Sequence, residues 1–299
     1  MKIAFIVLTY NEEIHLERCL KSIRGISKKI WIIDSFSTDK TIKISKKYNA
    51  KFFKRKFVNQ SEQFNWAIKL IPKKYDWIFR IDADEYLSLN LIQNVKTKIK
   101  KFKKNNIKGI YFNRKFIYQN KILNYGGLSD IKSLRMFRNG YGKSEERNMD
   151  EHIIVNGKTA SISGVIYDHN LKDNNHFIAK HIDYAKREAL DYLIYKFKIN
   201  NHSKKLLNSS NSKRKFLFYY RCPKYFRAIV YFLYRYFILF GFLDGLRGFK
   251  FHSIQALFYR IYVDKIISEL DKKIKSKKDL IKFINLKNKN KLLKNYENY

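Results

Sequence analysis

The sequence predicts an α/β fold, with a mainly parallel central sheet over residues 1–200 and a helical, basic extension over 201–299. Three observations predict it. Short apolar runs alternate with helical stretches, the pattern of βαβ units. Two of those runs end in carboxylates, at Asp34 and at Asp82-Ala83-Asp84-Glu85. The charge balance also changes along the chain. Residues 1–195 carry 38 basic and 20 acidic residues, whereas 196–299 carry 25 and six.

Each element follows in order. Lys2 to Thr9 is apolar and reads as the first core strand; it is too short for the usual layout of a signal peptide. A helix opens at Asn11 or Glu12 and runs to Arg24, with Ile14, Leu16, Leu20 and Ile23 at helical spacing. Lys29 to Asp34 is the second strand, and Thr38 or Asp39 can cap the helix after it. Ala50–Phe53 is a short third strand, Asn59–Leu70 a helix, and Trp77-Ile78-Phe79-Arg80-Ile81-Asp82 the fourth strand. Right-handed crossovers place these strand ends on one edge, so Asp34 and Asp82 should meet there with Thr9, Tyr10 and Asn11. A basic helix over Leu89–Lys104 leads to strands at Gly109–Tyr118 and Ser133–Arg138, with a tight turn at Gly126-Gly127. A hairpin is expected from Ile153–Val155 and Ala160–Tyr167, then a helix over Ala179–Tyr195 and a polar linker over 200–215.

Ligands of open α/β sheets bind outside the carboxyl ends of the strands. Three carboxylates within four residues repel one another unless a cation or solvent offsets them. Hard oxygen ligands at such an edge suit Mg²⁺ or Mn²⁺ holding a diphosphate. Arg135 and Arg138 alternate with Met136 and Phe137 in a strand, either as a solvated face or as holders of phosphate oxygens and other anionic groups. Asp150 and Glu151 precede the Ile153 strand, where they can be simple turn residues. No G-x-G-x-x-G follows the first strand and no Walker loop occurs, so side chains and metal must hold any nucleotide.

Cys19 and Cys222 lie far apart, which fits a reducing compartment rather than a disulfide scaffold. The formal net charge is +37, a field that favours anionic surfaces. Phe226–Leu243 is apolar and aromatic but interrupted by Arg227 and Arg235, each costing about 3 kcal/mol at the centre of a spanning helix. The expectation is therefore an anionic membrane surface as partner. The helices would lie in the interface, Arg227, Arg235 and Arg260 would reach headgroups, and a Lys-rich tail over 272–294 would add attraction. The other reading packs these helices on the catalytic domain. Nucleic acid is not expected as a partner, because the cluster at Asp82–Glu85 would repel its backbone. A Mg²⁺-dependent nucleotidyltransferase would want a Gly- and Lys-rich phosphate loop, which Thr9-Tyr10-Asn11-Glu12-Glu13 is not.

Val7-Leu8-Thr9-Tyr10-Asn11-Glu12-Glu13, Ile33-Asp34-Ser35-Phe36-Ser37-Thr38-Asp39 and Asp82-Ala83-Asp84-Glu85 resemble, in order and spacing, the three signature blocks of family-2 inverting glycosyltransferases. The fold this implies is GT-A, a Rossmann-like nucleotide-sugar-binding domain. Leu134-Arg135-Met136-Phe137-Arg138, Asp150-Glu151-His152, Asp168-His169 and the segment Gly241–Phe249 resemble one branch, the bacterial lipopolysaccharide-core β-glucosyltransferases. Together these features cover most of residues 1–265. Phe36 stands where many relatives have glycine. The resemblance implies a UDP-sugar donor, with Thr9, Tyr10, Glu12 and Asp34 lining the uridine pocket. Asp82 would face the ribose or a metal-bound water, and Asp84 and His169 would ligate Mg²⁺ or Mn²⁺. Asp150 or Glu151 would be the general base, and strand alternation leans to Glu151. The expected acceptor is a cell-surface glycan or lipid-linked sugar, met by a cytoplasmic enzyme peripheral on the inner face of the cytoplasmic membrane.

Overall fold

The computed structural model describes residues 2–129, 131–145, 152–197 and 218–293. Asp150 and Glu151 lie outside them, as does the 200–215 linker. The chain divides into two compact units, Met1–Asp173 with Arg235–Phe251, and Asn174–Tyr234 with His252–Tyr299. The expected boundary at residue 200 thus differs from the observed division, which gives the helix before it to the second unit and a C-terminal segment to the first.

The first unit is built on β1 (Ile3–Thr9), α1 (Glu13–Arg24), β2 (Ile30–Asp34), α2 (Thr41–Lys47), β3 (Lys51–Lys54), α3 (Gln60–Lys69) and β4 (Trp77–Asp82). Then follow β5 (Glu85–Leu87), α4 (Leu89–Lys104), β6 (Gly109–Tyr118), β7 (Lys121–Ile122), β8 (Ile131–Arg138), β9 (Gly142–Ser144), β10 (Ile153–Val155) and β11 (Thr159–His169). Among the described residues nine strands form one sheet in the order β3-β2-β1-β4-β8-β6-β11-β5, with β7 on β6. The β3-β2-β1-β4 half is parallel, as expected of βαβ units. Beyond β4 the sheet is mixed: β8 runs antiparallel to β4 and β6, while β11 lies parallel to β6 and antiparallel to β5.

Strand alternation feeds two cores. Ile3, Phe5 and Val7 enter one and Ala4 and Ile6 the other, so helices must cover both faces of the sheet. Phe5, Phe79 and Phe112 stack in a column with centroids 4.9 and 4.8 Å apart, tying β1, β4 and β6 together. Side-chain acceptors stand at two helix starts, at the N-cap of α3 and one residue before the N-cap of α2. Asn59 accepts from the Glu62 amide at 2.8 Å, and Asp39 accepts from the Thr41 amide at 2.9 Å.

The hairpin expected from Ile153–Val155 and Ala160–Tyr167 does not form. β10 pairs with β9 in a separate two-stranded sheet, and β11 joins the main sheet. The reason is burial: Ile162 and Ile166 of β11 enter the first core, whereas Ile153 of β10 enters the second. Gly164 has φ +118° in the bulge of β11, where a Cβ would lie 2.5 Å from the Leu91 Cα.

The second unit is helical. It holds α5 (Asn174–Lys196), which begins earlier than its expected start at Ala179, and α6 (Phe226–Leu233). The helix expected over Phe226–Leu243 is broken by a π-helical stretch at Tyr234–Ile238 and a 3₁₀ turn at Gly241–Asp244. α7 (Gly245–His252), a second π-helical stretch, α8 (Tyr259–Lys273) and α9 (Lys277–Leu293) follow. Ala185 and Ala189 of α5 pack on Tyr259, Val263 and Ile267 of α8. Among the described residues no single helix is long and apolar enough to cross a membrane; Phe226–Ile238 and Gly241–Lys273 meet that test only jointly, across a break.

The three arginines expected to reach headgroups do not. Arg227 is buried against the Asp264 carboxylate, Arg260 bonds the Glu188 carboxylate at 2.5 Å, and buried Arg235 donates to the Gly126 carbonyl at 2.7 Å. A buried guanidinium keeps its charge only beside such partners.

Candidate active site

The carboxyl ends of the parallel strands bring the expected residues together. β1 ends at Thr9, which pairs in register with Asp34 of β2, while Leu8 pairs with Asp82 of β4. Asp34 is fully buried, and its carboxylate accepts from the Thr9 hydroxyl at 2.9 Å, the Ser37 amide at 2.7 Å and the Ser37 hydroxyl at 2.5 Å. It therefore organises the turn between β2 and α2. Asn11 locks the same turn, its amide donating to the Ser37 hydroxyl at 2.8 Å and its carbonyl oxygen accepting from the Thr38 amide at 2.9 Å. Phe36 holds φ +63°, a left-handed conformation that glycine takes without strain. The ring of Tyr10 is exposed beside this turn.

Glu12 sits at the start of α1. Its carboxylate accepts from His15 Nδ1 at 2.6 Å and faces Lys172 Nζ at 3.5 Å. The Leu171 amide donates to His15 Nε2 at 2.8 Å, so this buried ring carries its proton on Nδ1. Glu12 is thus held in place by the segment after β11 and by its own helix.

The acid cluster is neutralised from within the protein. Arg135 donates to Asp82 Oδ2 at 3.2 Å and to Glu85 Oε1 at 2.6 Å. Arg114 bridges Glu85 at 3.0 Å and Asp168 at 2.6 Å, and Arg80 reaches Asp82 at 3.4 Å. Burial alone would raise the Asp82 carboxyl, but Arg135, Arg80 and Arg114 outweigh it and hold it below the usual carboxylate range. Glu85 is fully buried, and burial with the neighbouring Asp82 charge pushes its carboxyl upward against Arg135 and Arg114.

These contacts bear on the two readings of Arg135. It is not a solvated face: it is buried and pairs with Asp82 and Glu85. Arg138 is not brought to the edge at all. It pairs across from Trp77 at the start of β4 and lies over that indole at 5.4 Å. Five residues separate Trp77 from Asp82, about 16 Å of strand.

Asp84 differs from its neighbours. No hydrogen bond or ion pair engages its carboxylate among the described residues, although its backbone carbonyl accepts from Arg18 Nη2 at 3.2 Å and from the His169 amide at 3.1 Å. The structure thus brings Asp84, in the turn before β5, beside His169 at the end of β11. The ring of His169 is occupied: Arg18 Nη1 donates to Nδ1 at 2.9 Å, which leaves the ring proton on Nε2, 3.1 Å from the Asn120 side-chain oxygen. Arg18 also lies over the Tyr86 ring at 4.8 Å and donates to the His169 carbonyl at 2.5 Å. As a divalent-cation site this donor set fits in part. The Asp84 carboxylate is a hard, unclaimed oxygen donor, whereas both His169 nitrogens are already engaged. Among the described residues no group of three or more His, Cys, Asp or Glu side chains is arranged to hold a metal ion.

Arg18 gives a testable electrostatic signature. Burial, then Arg18, hold the His169 ring below its ordinary value of 6.5. A depressed histidine contributes stability that is present above the unfolded value and lost as pH falls through the folded one. Arg18→Met should therefore raise the His169 titration midpoint, read by NMR of the ring nitrogens. An unchanged midpoint would mean that Arg18 does not hold the ring.

Four basic residues of this site escaped the sequence reading: Arg18, Arg80, Arg114 and Lys172. One signal was available. Arg80 and Asp82 are two apart in a strand, hence on the same face.

The sequence model of Glycosyl transferase family 2 matches residues 4–193. An uncharacterized glycosyltransferase of Rickettsia bellii is 37% identical over 90 residues, 30% of each chain. One from Rickettsia typhi is 33% identical over 90 residues, again 30% of each. The match thus spans 30% of the length of these relatives. Among solved structures, S. aureus TarS 1-349 in complex with UDP-GlcNAc is 15% identical, with 90% of this chain and 92% of that chain covered and a TM-score of 0.43. Mycobacterium tuberculosis glucosyl-3-phosphoglycerate synthase, with Mg²⁺ and UDP, is 17% identical over 38% of this chain and 43% of that one, at a TM-score of 0.31.

Proposed function

Because the chain belongs to glycosyl transferase family 2, we propose that it transfers a hexose, glucose by resemblance, from a UDP-sugar to a lipopolysaccharide-core or other cell-surface glycan with inversion at the anomeric carbon. The observation that carries this reading is the unclaimed Asp84 carboxylate, at the end of the strand edge that also carries Thr9 and Asp34. A protein with a purely structural acid cluster would pair all of its members, as it pairs Asp82 and Glu85.

The residues act as follows. Asp34, rigid in its three hydrogen bonds, shapes the turn that receives the uracil and ribose, with exposed Tyr10 as a stacking face. Asp82 faces the ribose, with Arg135 and Arg80 keeping it ionised. Asp84 would hold Mg²⁺ or Mn²⁺, which when bound offsets the charge of the departing diphosphate. Arg18 is the alternative cation at this edge, and His169 joins the ligand set only if Arg18 releases it. A base takes the acceptor hydroxyl proton as attack proceeds.

Asp150 and Glu151 are the two candidates for that base. The true base should lose turnover by about 10²-fold or more as its amide variant, Asp150→Asn or Glu151→Gln, with donor affinity near normal. Near-normal turnover in both variants would remove the pair from the mechanism. The donor is cytosolic, so this reading places the enzyme at the cytoplasmic face of the membrane, peripheral to it, where a lipid-linked acceptor is presented.

A further inference from the structure

The segment Arg235–Phe251 reverses the usual order of a surface loop. Two of its charged residues face inward: Arg235 is 7% exposed and Asp244 2%. The Asp244 carboxylate accepts from the Asn124 and Tyr125 amides at 3.1 and 3.0 Å, and its carbonyl accepts from Lys121 Nζ at 2.8 Å. The Leu239 carbonyl accepts from the Gly126 amide at 2.8 Å. Gly248 seats the turn, since a Cβ there would lie 2.6 Å from the Gly241 carbonyl oxygen. Its apolar residues face outward, with Ile238 at 65% and Leu246 at 68%, alongside Phe237, Phe240, Leu243 and Phe249. Phe240 even adopts a left-handed φ of +57° while remaining exposed. An isolated exposed leucine needs no explanation, but a contiguous apolar ridge on buried polar anchors marks an interaction surface.

We propose that this ridge, residues 237–249, is a wedge that docks the catalytic unit onto an anionic lipid bilayer. The proposal deepens the membrane-surface part of the functional reading and rests on it. Charge decides the occupant. A second copy of the chain would bring +37 against +37, whereas anionic headgroups complement that field. Arg247 and Lys250 are exposed among the apolar residues, the composition of a shallow interfacial element. Arg227 and Arg235 are buried and Arg260 is held by the Glu188 carboxylate, so the wedge rather than those side chains makes the contact.

The test uses the full chain and vesicles of phosphatidylglycerol and phosphatidylethanolamine. Phe237→Asp with Leu246→Asp should weaken vesicle co-sedimentation at least tenfold at both low and high salt, with UDP binding in detergent within about twofold of normal. Leu246→Trp, which keeps the site apolar, should be quenched by brominated lipid in the same vesicles. Unchanged vesicle binding by the double variant, no quenching at position 246, or a dimer that the double variant dissociates would overturn the proposal. UDP binding is read separately, so loss of the membrane result leaves the sugar-transfer reading standing.

Discussion

Asp84→Ala is expected to abolish sugar transfer, by at least about 10²-fold, and to remove any dependence of UDP binding on Mn²⁺. The magnitude follows from the chemistry. A cation at the leaving diphosphate is worth several kcal/mol of transition-state stabilisation, and each 1.4 kcal/mol is about tenfold in rate. The same substitution should barely change stability, within about 0.5 kcal/mol, because the carboxylate makes no contact whose loss would matter among the described residues. Activity and UDP titrations with and without Mn²⁺, beside a denaturant curve, separate the two effects. Retained transfer with intact Mn²⁺ dependence would remove Asp84 from the site.

Arg135→Met should behave in the opposite way. The guanidinium is buried and bridges Asp82 and Glu85, so its loss strands carboxylates that Arg80 and Arg114 offset only in part. Removing one partner of a buried ion pair costs about 3–5 kcal/mol. That is a large share of a typical domain's stability, and it should appear as a lower denaturant midpoint with an unchanged slope. A shift below about 1 kcal/mol would mean that solvent, not Arg135, balances the cluster. The contrast between Asp84 and Arg135 is physical. Within a few residues of strand end, one acid is left unpaired among the described residues and its neighbours are tied to the protein.

Much of this was legible in the sequence. Short apolar runs between helical stretches marked β1 to β4, and right-handed crossovers required Asp34 and Asp82 to share an edge, which the register of β1 places there. The edge itself needed no tertiary information beyond the βαβ pattern. Long-range pairing was less legible. β10 and β11 are close in sequence and both β-prone, yet each found another partner because Ile153 of β10 and Ile162 and Ile166 of β11 enter different cores. Arg135 was ambiguous for a related reason. Alternation assigned it a face of β8, but nothing local said that Glu85 would lie across from it. Arg18 was invisible on α1, since its contacts are with Asp84 and His169, 66 and 151 residues away. The C-terminal segment was read correctly as aromatic and interrupted by arginine, but those arginines found carboxylates and a carbonyl inside the protein. Arg227 and Arg235 are buried, while Phe237, Ile238, Phe240, Leu243 and Leu246 stay exposed.

The central claim is that this edge of the sheet displaces UDP from a sugar by a single in-line attack. The measurement that tests it most directly is the anomeric configuration of the first product formed from a UDP-α-hexose by the full chain with Mn²⁺, followed by NMR before mutarotation. The account predicts a β product, formed by the native chain and not by Asp84→Ala. An α product, or turnover that survives in Asp84→Ala, would contradict it.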